Sequence, residues 1–206
     1  MMFKLNVTSS GSSDPFHHLD APQWVQKQIE WADKTPAAGE ALISVLKQRY
    51  DRPIVGVEIG VCLGYTTEKL VKEVNFEKYF AVDSYHSYVD WNGGDLNADR
   101  QSLIKQHAVN KLSKYNNVEF KFKSSEEFSA EVEDNSLDFI FIDGDHSYEG
   151  VLKDLNLWFK KVKPFGILSG HDASNKGVTD ALKEFFKDDL DRQVTALAND
   201  AWYTLK

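Results

Sequence analysis

The sequence predicts an α/β fold: a mostly parallel sheet covered by helices on both faces, in three αβα layers, with helices before it and an antiparallel hairpin closing its C-terminal end. Three observations carry this. Short apolar runs alternate with helical patterns from Pro53 onward, the signature of βαβ units. The first run, Ile54–Ile59, meets a glycine turn at Gly60, with Glu58 just before it and Gly64 just after. A second run ends at Asp83, 23 residues beyond Gly60, and a later one ends in Asp143-Gly144-Asp145-His146.

Taken in order, residues 1–15 are rich in Ser and Gly and read as a loose arm. Pro22–Ala32 reads as a short helix carrying Trp24, Ile29 and Trp31, and Pro36 opens another with Ala41, Leu42, Val45 and Leu46 on its apolar face. Residues 1–50 thus form an arm and helical cap, which covers the sheet, roofs a pocket or pairs with a second subunit in a homodimer. Residues 51–206 form the main domain. Its first strand is Ile54–Ile59, followed by a helix over Thr66–Val74 and a second strand over Tyr79–Val82. A polar, aromatic loop, Ser84–Asp95, precedes a helix over Leu96–Lys111. Strand three is Val118–Phe122, a short helix covers Ser125–Val132, and strand four is Leu137–Ile142. A helix over Tyr148–Val162 is stopped by Pro164, strand five is Gly166–Ser169, and Val178–Phe186 is helical. Gln193–Ala198 and Ala201–Leu205 pair across a tight Asn199-Asp200 turn. The whole is a Rossmann-like arrangement.

Composition narrows the partners. The net charge is −8, from 32 acids against 24 bases, with no basic block, so a nucleic-acid partner is disfavoured. The single cysteine, Cys62, excludes an intrachain disulfide framework and a cysteine-only zinc site. No apolar run reaches the ~18 residues of a membrane span, and Met1–Ser13 lacks an apolar leader core. A cytoplasmic protein without membrane contact is expected.

The glycine turn is suited to a nucleoside. Gly60 permits a sharp bend, Gly64 a close backbone approach, and the amides opening the next helix can bind polar ligand atoms. Glu58 beside the turn repels a pyrophosphate but suits an ammonium group. The Gly60-x-x-x-Gly64 spacing also departs from the dinucleotide pattern. Asp83 can accept hydrogen bonds from ribose hydroxyls. Ser124 and Ser125 can meet the base edge, cap the following helix, or do both.

These residues resemble the class I S-adenosylmethionine-dependent methyltransferases. Val57-Glu58-Ile59-Gly60-Val61-Cys62-Leu63-Gly64 is similar to their first motif and Ala81-Val82-Asp83 to the second. The run from Phe139 through Asp143-Gly144-Asp145-His146-Ser147-Tyr148, then Asp154-Leu155, then Pro164 to Asp172, resembles a subgroup of small-molecule O-methyltransferases akin to macrocin O-methyltransferase. The resemblance covers about residues 50–205. It implies that Glu58, Gly60 and Gly64 hold the methionine end of S-adenosyl-L-methionine. Asp83 would hold the ribose, Ser124 and Ser125 the adenine, with Asp143 also in the cofactor set. In metal-dependent relatives a divalent ion sits on a carboxylate after strand four and two ligands after strand five; the matching positions are Asp143, His171 and Asp172. His171 departs from the usual carboxylate or amide, and imidazole favours transition metals over magnesium.

Asp143, Asp145, His146, His171 and Asp172 all fall at the carboxyl ends of strands four and five, where open sheets bind ligands. Neighbouring carboxylates repel unless protonated, hydrogen-bonded or paired with a cation, and a metal would relieve this. For methyl transfer to a hydroxyl of a small polar substrate, a sugar being one candidate, His146 is the first choice of base and His171 the second. The duller readings are that His146 only bonds backbone, that Asp145 caps the following helix, and that Trp158 is core. Tyr85, His86, Tyr88, Trp91 and Asn92 form a candidate lid, or else a contact with a second subunit. Two other functions stay open on the residues alone: an NAD-dependent oxidoreductase, opposed by Glu58 and the missing Gly-x-Gly-x-x-Gly, and a non-catalytic nucleoside-binding module, which His171 keeps open.

Overall fold

The computed structural model describes residues 18–89 and 95–206. The chain opens with α1 (Ala21–Ala32), a 3-10 turn (Ala38–Ala41) and α2 (Leu42–Arg49), then enters β1 (Ile54–Ile59), α3 (Tyr65–Glu73) and β2 (Phe76–Val82). A two-stranded ribbon, β3 (Tyr88–Val89) with β4 (Asp95–Leu96), precedes α4 (Ala98–Leu112) and β5 (Val118–Lys121). There follow α5 (Ser125–Ser129), β6 (Leu137–Ile142), α6 (Tyr148–Trp158), β7 (Val162–Gly170), α7 (Lys176–Phe185), β8 (Thr195–Ala196) and β9 (Trp202–Leu205).

Seven strands form one sheet in the order β5-β2-β1-β6-β7-β9-β8. The first five are parallel; β9 runs antiparallel to β7, and β8 antiparallel to β9. The expected αβα sheet with its closing hairpin is therefore present. Both faces are covered, which is why β6 is apolar without alternation from Phe139 to Ile142, after Asp138 near its start. Ile140 and Ile142 pack with Val151, Leu155 and Trp158 of α6 and Val178 of α7 on one face. Phe139 and Phe141 point the other way, onto Leu42 and Leu46 of α2 and Leu70 of α3. A third cluster joins Trp24 and Val25 of α1 to Ile104 and Ala108 of α4 and to Val61 and Leu63 of the glycine turn. Trp158 is core, fully buried.

Local signals explain most boundaries. Asp20 caps α1, Asn97 caps α4, and Ser147 caps α6, each accepting a hydrogen bond from a first-turn amide. Asn97 displaces the expected α4 start at Leu96, which instead belongs to β4. Asn199 and Asp200 both have positive φ, 55° and 57°, as a tight hairpin turn requires. Strand five is longer than the expected Gly166–Ser169. The preceding helix ends at Trp158 and continues as a 3-10 turn to Lys161, and Pro164 lies inside β7, where the register against β6 is irregular between Leu137 and Phe139. A bulge is where a strand tolerates a residue without an N–H. Among the described residues, no helix is long and apolar enough to cross a membrane.

Candidate active site

The strand order reverses between β1 and β6, because β1 continues to β2 on one side and β6 to β7 on the other. A crevice at the carboxyl ends of such strands is where open α/β sheets place ligands. Gly60 and Asp143 terminate these two strands. Gly60 N–H donates to Val82 O at 2.9 Å and Asp143 N–H to Ile59 O at 2.8 Å.

Glu58 is fully buried. Its Oε2 accepts from Thr67 Oγ1 at 2.6 Å and Tyr79 Oη at 3.1 Å, while Oε1 has no hydrogen-bond partner. Burial is the largest influence on this carboxyl and pushes it up to about 8; the Asp143 and Asp83 charges add to that, against the hydrogen bonds from Thr67 and Tyr79. Asp83 staples the glycine turn. Its Oδ2 accepts from the amides of Val61 and Cys62, both at 3.0 Å, and Oδ1 from Tyr85 N–H at 2.8 Å. A carboxylate has about four acceptor sites, so Oδ1 keeps capacity for a ligand hydroxyl.

Ser124 caps α5 in a reciprocal box with Glu127. Ser125 accepts from Trp158 Nε1 at 2.8 Å and donates to Asp154 Oδ1. Asp154 is buried, which raises its carboxyl to about 6 against the lowering effect of Ser125. Both serines therefore carry structural bonds at the end of β5.

The strand-four and strand-five ends converge. His146 Nε2 lies 3.2 Å from Asp172 Oδ2 and 3.5 Å from Asp143 Oδ1. His171 Nδ1 lies 3.4 Å from the same Asp143 oxygen and 3.3 Å from the same Asp172 oxygen. Burial pulls the His171 imidazole down, but hydrogen bonds and charge from Asp143 and Asp172 outweigh it and raise it to about 10. Burial likewise pushes Asp172 up and is outweighed by His171 and His146, which hold the carboxyl below its ordinary range. One donor atom each from Asp143, His146 and Asp172 falls within a 4.8 Å span that could hold a metal ion. This group contains His146, expected as a base, and not His171, expected as a ligand. Asp145 is exposed and accepts from Ser147 N–H at 2.9 Å; the cap of α6 is Ser147.

Residues 57–173, more than half of the chain, match the family model of a methyltransferase domain. The chain belongs to the class I S-adenosylmethionine-dependent methyltransferases. No curated protein matches it in sequence. Among solved structures, it is similar in fold to a methyltransferase from Geobacter sulfurreducens, with a TM-score of 0.60 at 15% identity over 91% of this chain and 89% of the other. An O-methyltransferase from Bacillus cereus, solved in complex with SAH, gives 0.58 at 14% identity over 91% and 92%. A SAM-dependent methyltransferase from Aquifex aeolicus gives 0.53 at 20% identity over 91% and 97%.

Several groups shape this methyltransferase's site without having stood out in the sequence. Ala173 N–H donates to Asp200 O at 2.9 Å, and Ser174 donates to the Asp200 carboxylate from its amide at 2.8 Å and its hydroxyl at 2.7 Å. Trp202 Nε1 donates to His171 O at 3.0 Å. The closing hairpin therefore fixes the segment bearing His171 and Asp172, whose own φ of 55° is left-handed. The Asn199-Asp200 turn was legible as a turn; what it would touch was not. In the candidate lid, Tyr85 is buried, with its hydroxyl donating to Cys62 O at 3.0 Å, so it roots the loop rather than covering the site. Ser84 Oγ and His86 Nδ1 are hydrogen-bonded, and Tyr88 and Val89 are exposed. Trp91 and Asn92 lie outside the described residues.

Gly60 is indispensable for a reason additional to ligand approach. Its φ is +87°, and a Cβ there would stand 2.1 Å from Asp143 O. Gly60→Ala is expected to cost roughly 2–5 kcal/mol in folding, the sum of an unfavourable φ and forced overpacking. Urea unfolding and calorimetric titration with S-adenosylhomocysteine should show both stability and binding reduced; unchanged values would mean the turn rearranges freely.

Proposed function

We propose that this methyltransferase transfers a methyl group from S-adenosyl-L-methionine to a hydroxyl of a small polar molecule, a sugar being the first candidate, in the manner of the macrocin O-methyltransferase subgroup, with a divalent ion assisting. The observation that carries the reading is the convergence of Asp143, His146 and Asp172 on one 4.8 Å span, at the switch point and against the glycine turn. Bound S-adenosylmethionine supplies an electrophilic sulfonium methyl, and a bound divalent ion lowers the pKa of an acceptor hydroxyl. The chain's residues do the remainder. Glu58 and the glycine turn face the methionine end, Asp83 the ribose, and the segment at Ser124 and Ser125 the base. Asp143 and Asp172, with His171 or His146, supply a mixed oxygen and nitrogen donor set, which suits a transition metal better than magnesium. With His171 as the nitrogen ligand, His146 accepts the hydroxyl proton.

One observation favours a second reading. A His171 imidazole that titrates at about 10 is a cation at neutral pH and can balance Asp143 and Asp172 without a metal. The two readings separate in one experiment. Purified protein is stripped with chelator, analysed for bound metal, and assayed with methyl-labelled S-adenosylmethionine against a panel of hydroxylated acceptors, with and without manganese, zinc or magnesium. Metal-assisted O-methylation predicts label on oxygen that disappears on chelation and returns with the ion. Activity indifferent to chelation supports the imidazolium; label on nitrogen or carbon acceptors alone defeats the O-methyl assignment.

A further inference from the structure

We propose a second ligand site at the opposite, amino-terminal edge of the sheet, which takes a small phosphate-type oxyanion. A cavity of about 240 Å³ opens there, at the end of α2 and the beginnings of β1, β6 and β7. It is below the ~300–1,000 Å³ usual for drug-sized ligands, so it fits a small molecule. In a protein of net charge −8, this cavity is lined by three cations, Arg49, Arg52 and Lys163, against one acid, Asp138.

That acid is already spent. Asp138 is buried; its Oδ1 accepts from Arg52 Nη2 at 2.6 Å, and its Oδ2 from Lys163 Nζ at 3.0 Å and Val55 N–H at 2.9 Å. Among the lining residues the cations outnumber the acid three to one, although Asp51 beside Arg52 also acts on that guanidinium. A guanidinium has five donors and an ammonium three. Arg49 uses Nε and Nη2 on Phe165 O, at 3.3 and 2.8 Å, and Arg52 spends Nη1 on Pro53 O at 2.9 Å. Each cation retains donors, in the forked and point-charge combination that matches tetrahedral oxyanions. Arg49 thus holds the carbonyl of Phe165, a residue in a left-handed conformation, φ 64°, and 73% exposed at the cavity wall. Strain of this kind is concentrated at ligand clamps. The site is separate from the methyltransferase crevice: six residues of β1 put about 20 Å between the two edges. Yet β1, β6 and β7 are the strands that lead directly into Gly60, Asp143 and His171.

The proposal rests on binding alone and so stands apart from the assigned reaction. Inorganic phosphate and glycerol 3-phosphate are titrated separately into the full chain at constant ionic strength, followed by calorimetry and by phosphorus NMR. Saturable one-site binding is expected. It should weaken about tenfold or more in Arg49→Gln and in Lys163→Gln, partly in Arg49→Lys, which keeps charge but loses the fork, and not at all in Lys153→Gln on the surface of α6. Circular dichroism identifies any variant that fails to fold, and Arg49→Lys then serves in its place. Tighter binding of the ester assigns the site to a phosphorylated metabolite, and tighter binding of inorganic phosphate to the free ion. Non-saturating titration, or equal affinity in all four variants, overturns the proposal.

Discussion

Replacing Asp143 by alanine is expected to lower the rate of methyl transfer roughly a thousandfold while the domain stays folded. The side chain is the common partner of both imidazoles, since its Oδ1 lies 3.5 Å from His146 and 3.4 Å from His171. It also belongs to the candidate metal group. Loss of a positioned charge or an acid–base partner costs about 10²–10⁴ in rate, and Asp143 serves more than one such role in the proposed mechanism. The backbone bond that holds this position, from its amide to Ile59 O, survives the substitution. A second readout accompanies the rate. With Asp143 gone, His171 loses one of the two carboxylates that hold its titration at about 10, and burial then draws it down. Single-turnover assay and histidine NMR titration would show a slow enzyme with a lowered His171 pKa. Near-normal turnover would remove the strand-four carboxylate from the mechanism.

Replacing Glu58 by glutamine is expected to weaken S-adenosylmethionine binding about 10–100-fold, the usual worth of a hydrogen bond to a charged group. The argument starts from a fully buried carboxyl with one oxygen unpartnered and titrating at about 8 instead of 4.5. Below pH 8 the ligand-free protein keeps this group protonated. Ligation of an ammonium by the carboxylate must then expel a proton, so affinity should rise about tenfold per pH unit up to pH 8 and level off above it. Calorimetry in buffers of different ionisation enthalpy would report that proton in the native protein and its absence in Glu58→Gln. The same shift acts on stability with a definite sign. The folded state holds the proton more tightly than the unfolded chain, so Glu58 lowers stability progressively as pH rises from 4.5 to 8. Glu58→Gln removes that slope, and denaturant midpoints measured across the window should flatten. A pH-independent affinity with no proton released would mean that Glu58 only braces Thr67 and Tyr79.

Much of the architecture was legible because periodicity and punctuation agree. β1 and β6 fall where the apolar runs lie, bounded by Pro53, Gly60, Ser136 and Asp143. The caps at Asn97 and Ser147 are local interactions of three residues' reach, although neither had been singled out. The boundaries that shifted depend on neighbours. β7 starts at Val162 because Val162 pairs with Leu137 while Ile167 pairs with Phe139, so β7 carries the extra residues of an irregular register, and no local rule reveals a register set by a distant strand. Ser125 illustrates the same limit at the site: its hydroxyl is committed to Trp158 and Asp154, 33 and 29 residues away.

By itself the sequence determined the layer order, the glycine turn and the placing of acids at the carboxyl ends of neighbouring strands, because side-chain periodicity and turn chemistry are short-range properties. The tertiary structure alone decided the rest. It turned both imidazoles onto the same two carboxylates, tied His171 and Asp172 to the Asp200 hairpin, and left Glu58 with one unpaired oxygen in the dark. Those outcomes depend on which distant segments share a few ångströms and on how much water they exclude. Desolvation and charge proximity are properties of the packed molecule, not of any stretch of its chain.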